Sequence, residues 1–217
     1  MAPRTTFAAA ACTVAAAALF LTACGGGSHD DKIAATTPAS APPPTTASSS
    51  PTPTTAPGAP TFDFPSDVKI KIDADTTGDK TKDAILRDQA YAENATYMAI
   101  VKLDPELPIF TQYVIADAQA NWSNNIIAGK KGHHTITGTV HIYDRKVTVS
   151  SATRAGVTFC EDQRYSYDKD TQTGKVLKTK PSANSFIFHS SLLLKSKDGT
   201  WQTASYNSQR GAARCQL

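Results

Sequence analysis

Glu93 is the side chain in this sequence best placed to do chemistry. Helical spacing puts it in line with Leu86, Ala90, Tyr97 and Ile100, on an otherwise apolar stripe. A carboxyl held among apolar groups keeps its proton to higher pH and can act as a general base near neutrality. The competing arrangement has Glu93 at the stripe's edge, reaching water or pairing with Arg87 or Lys82. Tyr97, Tyr113, Trp122 and Tyr143 have the size to line a pocket around such a base, or to serve simply as core. His141 alternates with Thr137, Thr139 and Tyr143 on the polar side of a strand pattern. It joins Glu93, Tyr97 and Trp122 as a pocket candidate, with a satisfied structural histidine as the plainer reading. His189, alternating with Ile187 and Leu193, reads as structural. His133 and His134 follow Gly132 without further ligands at metal-binding spacing, so no metal is expected. The chain has no Gly-rich phosphate loop, no Gly-x-Ser-x-Gly elbow and no His-Glu-x-x-His, and no cofactor is implied.

The four cysteines say more about location than about catalysis. Arg4 precedes a nearly uncharged apolar run from Phe7 to Leu21, shorter than the roughly 20 residues of a membrane span. Leu21-Thr22-Ala23-Cys24 then resembles the lipobox of bacterial lipoproteins. The resemblance implies cleavage after Ala23, making residues 1–23 a signal peptide, and a diacylglyceryl thioether on Cys24. Two acyl chains anchor stably where one is marginal, so the expected location is the outer face of the cytoplasmic membrane. A cleaved, fully secreted chain is the alternative. Cys12 leaves with the signal, and Cys160 and Cys215 remain as the only two thiols facing an oxidising exterior. Their natural pairing is a disulfide, with a catalytic cysteine as the competing reading.

Residues 24–61 form a tether. Thr36 to Thr61 contain only Pro, Thr, Ala, Ser and one Gly, too little apolar surface to offset the entropy of ordering. Extended at about 3.1 Å per residue, the tether reaches on the order of 100 Å. Its composition also suits O-glycosylation. The net charge is +3, and removing Arg4, Asp30, Asp31 and Lys32 leaves it unchanged for the rest. With no basic stripe, nucleic acid is not an expected partner. Lys130-Lys131 and Arg145-Lys146 read as solvated loop charges.

A helix is predicted over Asp79–Lys102, ended by Leu103-Asp104-Pro105. A second is predicted over Ile109–Ala128, with Ile115, Gln119, Trp122 and Ile126 on one face and Gly129 as its stop. Beyond His133 the period changes from 3.6 to 2, and Ile136, Gly138, Val140 and Ile142 point one way. A bend at Asp144-Arg145 leads to Val147 and Val149, and further strands cover Ala155–Cys160, Phe186–Lys195 and Trp201–Asn207. A polar loop spans Asp168–Gly174, and Asp198-Gly199 is a hairpin signal. Helices followed by antiparallel strands make an α+β domain with one disulfide.

That order, with LDPELP between the helices, VTFCEDQRYSYD in mid-sheet, DGTW in the hairpin and the closing GAARC, resembles the NTF2-like (SnoaL-like) cone. It is similar in particular to secreted and lipoprotein domains of high-GC Gram-positive bacteria. The resemblance implies N-terminal helices on a bent antiparallel sheet over residues 62–217, often around a pocket, with a paired Cys160 and Cys215. It brings no catalytic residues. The segment SFIFHSSLLLKS is more apolar than that pattern suggests. The expected role is therefore non-catalytic, the domain binding a ligand or an envelope protein, with a homodimer through the sheets compatible with the pattern. The alternative is a ketosteroid-isomerase-like or cyclase-like enzyme with Glu93 as base in an open pocket.

Overall fold

Asp79 starts the long helix that carries Glu93. Its carboxylate accepts from the backbone N–H groups of Thr81 and Lys82, at 2.8 and 3.1 Å, satisfying donors that the first turn leaves without partners. Helix α1 runs Lys80–Lys102 and ends at Leu103, whose left-handed backbone returns its N–H to Ile100. The computed structural model describes residues 58–216. The expected signal peptide, Cys24 and the tether up to residue 57 lie outside the described residues.

The second expected helix is in fact two, α2 over Pro108–Tyr113 and α3 over Ala116–Gly132. Between them Val114 forms a parallel bridge with Thr203, and the Ile115 N–H donates to the Thr203 carbonyl at 2.9 Å. Two adjacent β-branched residues beside a strand edge favour extended backbone, and that tertiary pairing outweighs helix propensity. Gly129 does not end α3. A Cβ there would lie 2.9 Å from the His134 carbonyl oxygen, so the glycine lets the helix lie against the chain that follows it. The helix ends instead at His133, φ 57°.

Six strands form one sheet: β1 (Val68–Ile72), β2 (His134–Ser151), β3 (Arg154–Asp170), β4 (Val176–Leu177), β5 (Phe186–Lys195) and β6 (Trp201–Arg210). Their order is β1-β2-β3-β5-β6, with the two-residue β4 paired to β3. The expected antiparallel sheet is mixed, because β1 runs parallel to β2. The expected bend is present: the register slips between Tyr143 and Lys146, where Asp144 has φ 51°, a bulge that turns the strand.

The helices cover one face of this bent sheet. Ile85, Leu86 and Tyr97 of α1 pack with Val140, Ile142, Val157, Phe159, Leu193 and Trp201. A second cluster joins α2 and α3 to α1 through Phe110, Tyr113, Ile126 and Ala99. Tyr143, Cys160 and Phe186, of opposite parity on their strands, build a third cluster with Ala212 and Cys215 from the segment after β6. The Cys160–Cys215 disulfide, with Cα atoms 5.4 Å apart, closes it. The α+β layout expected from the sequence is thus the one present. Among the described residues no helix is long and apolar enough to cross a membrane.

Candidate functional site

The inner face of α1 turns polar at its centre. Leu86 is followed at helical spacing by Gln89, Glu93 and Tyr97. The Gln89 amide Nε2 donates to Glu93 Oε1 at 3.0 Å, while Arg87 grips Asp88 at 2.8 Å and is not Glu93's partner. Arg145, expected in a solvated loop, is 9% exposed and reaches the same helix. Its guanidinium donates to Gln89 Oε1 at 3.1 Å and to the Leu86 carbonyl at 2.8 Å, and pairs with Asp75 at 2.9 Å. The Asp144 bulge breaks the strand's alternation and turns Arg145 inward.

The sheet meets this row with a second one. Alternation along β3 carries Val157, Phe159, Glu161 and Gln163 along the face towards α1. Glu161 is 3% exposed, and its Oε1 accepts from the Tyr97 hydroxyl at 2.6 Å and from the Gln163 amide. His189 of β5 places Nε2 2.9 Å from Glu161 Oε2, off the direction of a good hydrogen bond. Its Nδ1 lies 2.9 Å from the Ser208 hydroxyl, and its ring stacks on Phe159 with centroids 4.7 Å apart.

The two carboxyls take opposite states. Burial pushes Glu93 up to about 7, with nearby His189 working against that rise and nearby Glu161 adding to it. Burial acts on Glu161 in the same direction, but the close approach and charge of His189, with the hydrogen bonds from Tyr97 and Gln163, hold it below the ordinary carboxylate range. Burial and the neighbouring Glu161 charge raise the Tyr97 phenol well above its usual value.

Glu93 therefore links stability to pH. Between 4.5 and about 7 the folded chain keeps a proton on Glu93 that the unfolded chain has released. Its contribution is fully present below that window and is lost as pH rises through it. In urea unfolding, Glu93→Gln should match the native chain below pH 4.5 and exceed it by about 2–3 kcal/mol at about pH 8. Equal stability of the two at high pH would contradict this assignment.

Next to this cluster a cleft of about 240 Å³ opens between α1, α3 and the sheet. Its apolar walls come from Ile100, Trp122, Ile126 and Ile136. Trp122 is fixed by stacking on Tyr206 of β6, with rings 5.3 Å apart. Tyr97 and Gln163 supply a polar part of the lining, and both are oriented by their bonds to Glu161. With its amide nitrogen turned to Glu161, Gln163 has its carbonyl oxygen available for another donor.

Of the four pocket candidates, Tyr97 and Trp122 line the cleft. Glu93, one helical turn before Tyr97, is half-buried beside it, among the charges of the cluster. His141 is elsewhere: its Nε2 lies 2.8 Å from Asp73 and its ring 5.0 Å from that of Tyr143. Glu161 and Gln163 were missed, although alternation from Val157 and Phe159 places them on the core face. Among the described residues no three His, Cys, Asp or Glu side chains are grouped to hold a metal ion. Chemically, the arrangement can enclose an apolar group, hydrogen-bond a polar one, and exchange a proton near neutral pH.

No protein-family model matches the chain, and no curated protein does. Solved structures do resemble it. A ketosteroid isomerase-like protein from Erwinia carotovora is 19% identical, with 55% of this chain and 90% of that one covered and a TM-score of 0.37. An NTF2-like protein of unknown function from Rhodospirillum rubrum is 9% identical over 56% and 96% of the two chains, with a TM-score of 0.38. An NTF2-like superfamily protein from Salmonella enterica is 15% identical over 61% and 94%, also at 0.38. These likenesses concern the layout of helices on a bent sheet and carry nothing about activity.

Proposed function

We propose that this chain is an envelope binding protein that takes a small organic molecule into the cleft between α1, α3 and the sheet. One observation carries the reading: the walls are apolar, while Tyr97 and Gln163 are pre-oriented by the buried Glu161. Such a site gains affinity from burial and orientation from a few fixed polar groups. Its volume of about 240 Å³ is below the roughly 300–1,000 Å³ of drug-sized sites, so the ligand is small or inserts only in part. An open cleft also favours a small molecule over an envelope protein as occupant. Native mass spectrometry of the full chain, taken gently from its host, should show a discrete extra mass that disappears on denaturation. Asn125→Trp, at an exposed position on the lining, should give a bare mass. A bare native chain, or an adduct that survives Asn125→Trp, would overturn the proposal.

The likeness of Leu21-Thr22-Ala23-Cys24 to a lipobox supports display on the outer face of the cytoplasmic membrane through a diacylglyceryl group on Cys24. Cys24→Ala should release the chain into the medium, and retention in the membrane fraction would count against the anchor.

A second reading, general-base catalysis by Glu93, is favoured by its carboxyl standing at about 7, where a base works best near neutrality. It ranks lower because Glu93 is held by Gln89 and is not among the residues lining the cleft. It requires a turnover that Glu93→Gln abolishes while leaving the bound mass in place.

A further inference from the structure

The cleft does not end at its apolar walls. Gln163, Ser166 and Arg210 line it and also line an adjoining trough of about 300 Å³ between the end of β3 and the segment that precedes β5. The trough has a different character. Ser182, Asn184 and Ser185 supply hydroxyl and amide groups, and Lys180 and Arg210 supply charge. Among the described residues neither cation forms an ion pair. Arg210 makes one hydrogen bond, to the Asn184 carbonyl at 3.2 Å, leaving most of its fork of donors open. One carboxylate, Asp168, lines the trough against these two cations, so its charge is +1.

We propose that cleft and trough are two parts of one site, which binds a single-chain amphiphile with one negative charge on its head group. This deepens the binding role proposed above and rests on it. The apolar tail lies between Ile100, Trp122, Ile126 and Ile136, where burial contributes affinity in proportion to the apolar area removed from water. The head group lies in the trough, where Arg210 stands at the junction and can take two oxygens of a carboxylate or a phosphodiester at once. Lys180 adds a second positive charge. The balance set by Asp168 favours one negative charge over two, and a cationic head would meet Arg210 directly.

The test is calorimetric titration of the full chain with decanoate, decanol and decyltrimethylammonium. Decanoate should bind most tightly and the ammonium least. Arg210→Gln combined with Lys180→Gln alters only exposed side chains. It should weaken decanoate by about five- to tenfold and leave decanol unchanged. Asn125→Trp, at the tail end, should weaken both alike. If decanol binds as well as decanoate and both respond to Asn125→Trp, the head-group assignment fails while the binding role stands. If the ammonium binds as tightly as decanoate, or the double charge variant leaves decanoate unaffected, the assignment is equally overturned. If none of the three binds while the host-derived mass adduct is present, the ligand class is wrong and the cleft is still a binding site.

Discussion

Glu161→Gln should destabilise the fold by about 3–5 kcal/mol. The carboxylate is 3% exposed and collects the Tyr97 hydroxyl, the Gln163 amide and the His189 ring at once. A neutral amide of the same shape keeps one acceptor oxygen but brings two N–H groups into a place built for acceptance. Tyr97 and Gln163 would compete for that one oxygen, and His189 would face an N–H or nothing. Breaking a buried charged contact from one side is costly because the other side is left desolvated and unpartnered. His189→Gln on top of Glu161→Gln should therefore add less than its effect in the native background, and the shortfall measures the coupling. The measurement is urea unfolding of both single variants and the double variant at neutral pH. A loss below about 1 kcal/mol for Glu161→Gln would mean that the cluster is solvated and does not hold the interior together.

Cys160→Ser combined with Cys215→Ser should be nearly as severe, for a different reason. The bond joins positions 55 residues apart, and a loop of that length is worth about 4 kcal/mol in the chain-entropy account. A typical domain has only about 5–15 kcal/mol in all. The pair also closes the small cluster in which Tyr143, Phe186 and Ala212 are buried, and the Tyr143 hydroxyl donates to the Cys215 carbonyl. Its side chains point away from the cleft, since Cys160 has the opposite parity to Glu161 on β3. The double serine variant should thus unfold at much lower urea concentration yet, while folded, retain its cleft ligand. An unchanged unfolding midpoint would contradict the stabilising role, and loss of ligand from a folded variant would contradict the separation of the two faces.

Much of the frame was legible from local chemistry. The helix from Asp79, its stop at Leu103, the strand at Phe186–Lys195 and the bend at Asp144 follow from helical spacing, alternation and turn composition. What escaped depends on partners remote in sequence. Val114 and Ile115 leave the helix only because Thr203 offers them a strand edge. The strand Val68–Ile72 carries a plain alternation of apolar residues with lysines, which the sequence reading passed over beside the tether. The site shows the same division. Tyr97 and Trp122 were found because helical spacing reports which face is inward. His141 sits on the polar face that alternation gives it and is held by Asp73, away from the cleft, because alternation identifies a face of the sheet but not whether a helix covers that stretch of it. Glu161 was overlooked although Val157 and Phe159 mark its face as core. A carboxylate in line with core residues is a stronger signal than a histidine on a polar face. Arg145 was read as solvated because a bulge reverses the parity on which such readings depend.

The proposed binding role requires that the polar cluster behind Tyr97 and Gln163 be shielded from water, so that these two cleft groups stay fixed. Glu93, hydrogen-bonded to Gln89 and within reach of the Glu161 charge, reports on that cluster. The measurement is a titration of its side-chain carboxyl carbon by NMR in the selectively labelled full chain, with Glu93→Gln used to assign the signal. The structure predicts a midpoint at about 7. A midpoint at the ordinary 4.5 of an exposed glutamate would show that water reaches the cluster freely and would contradict the shielded site.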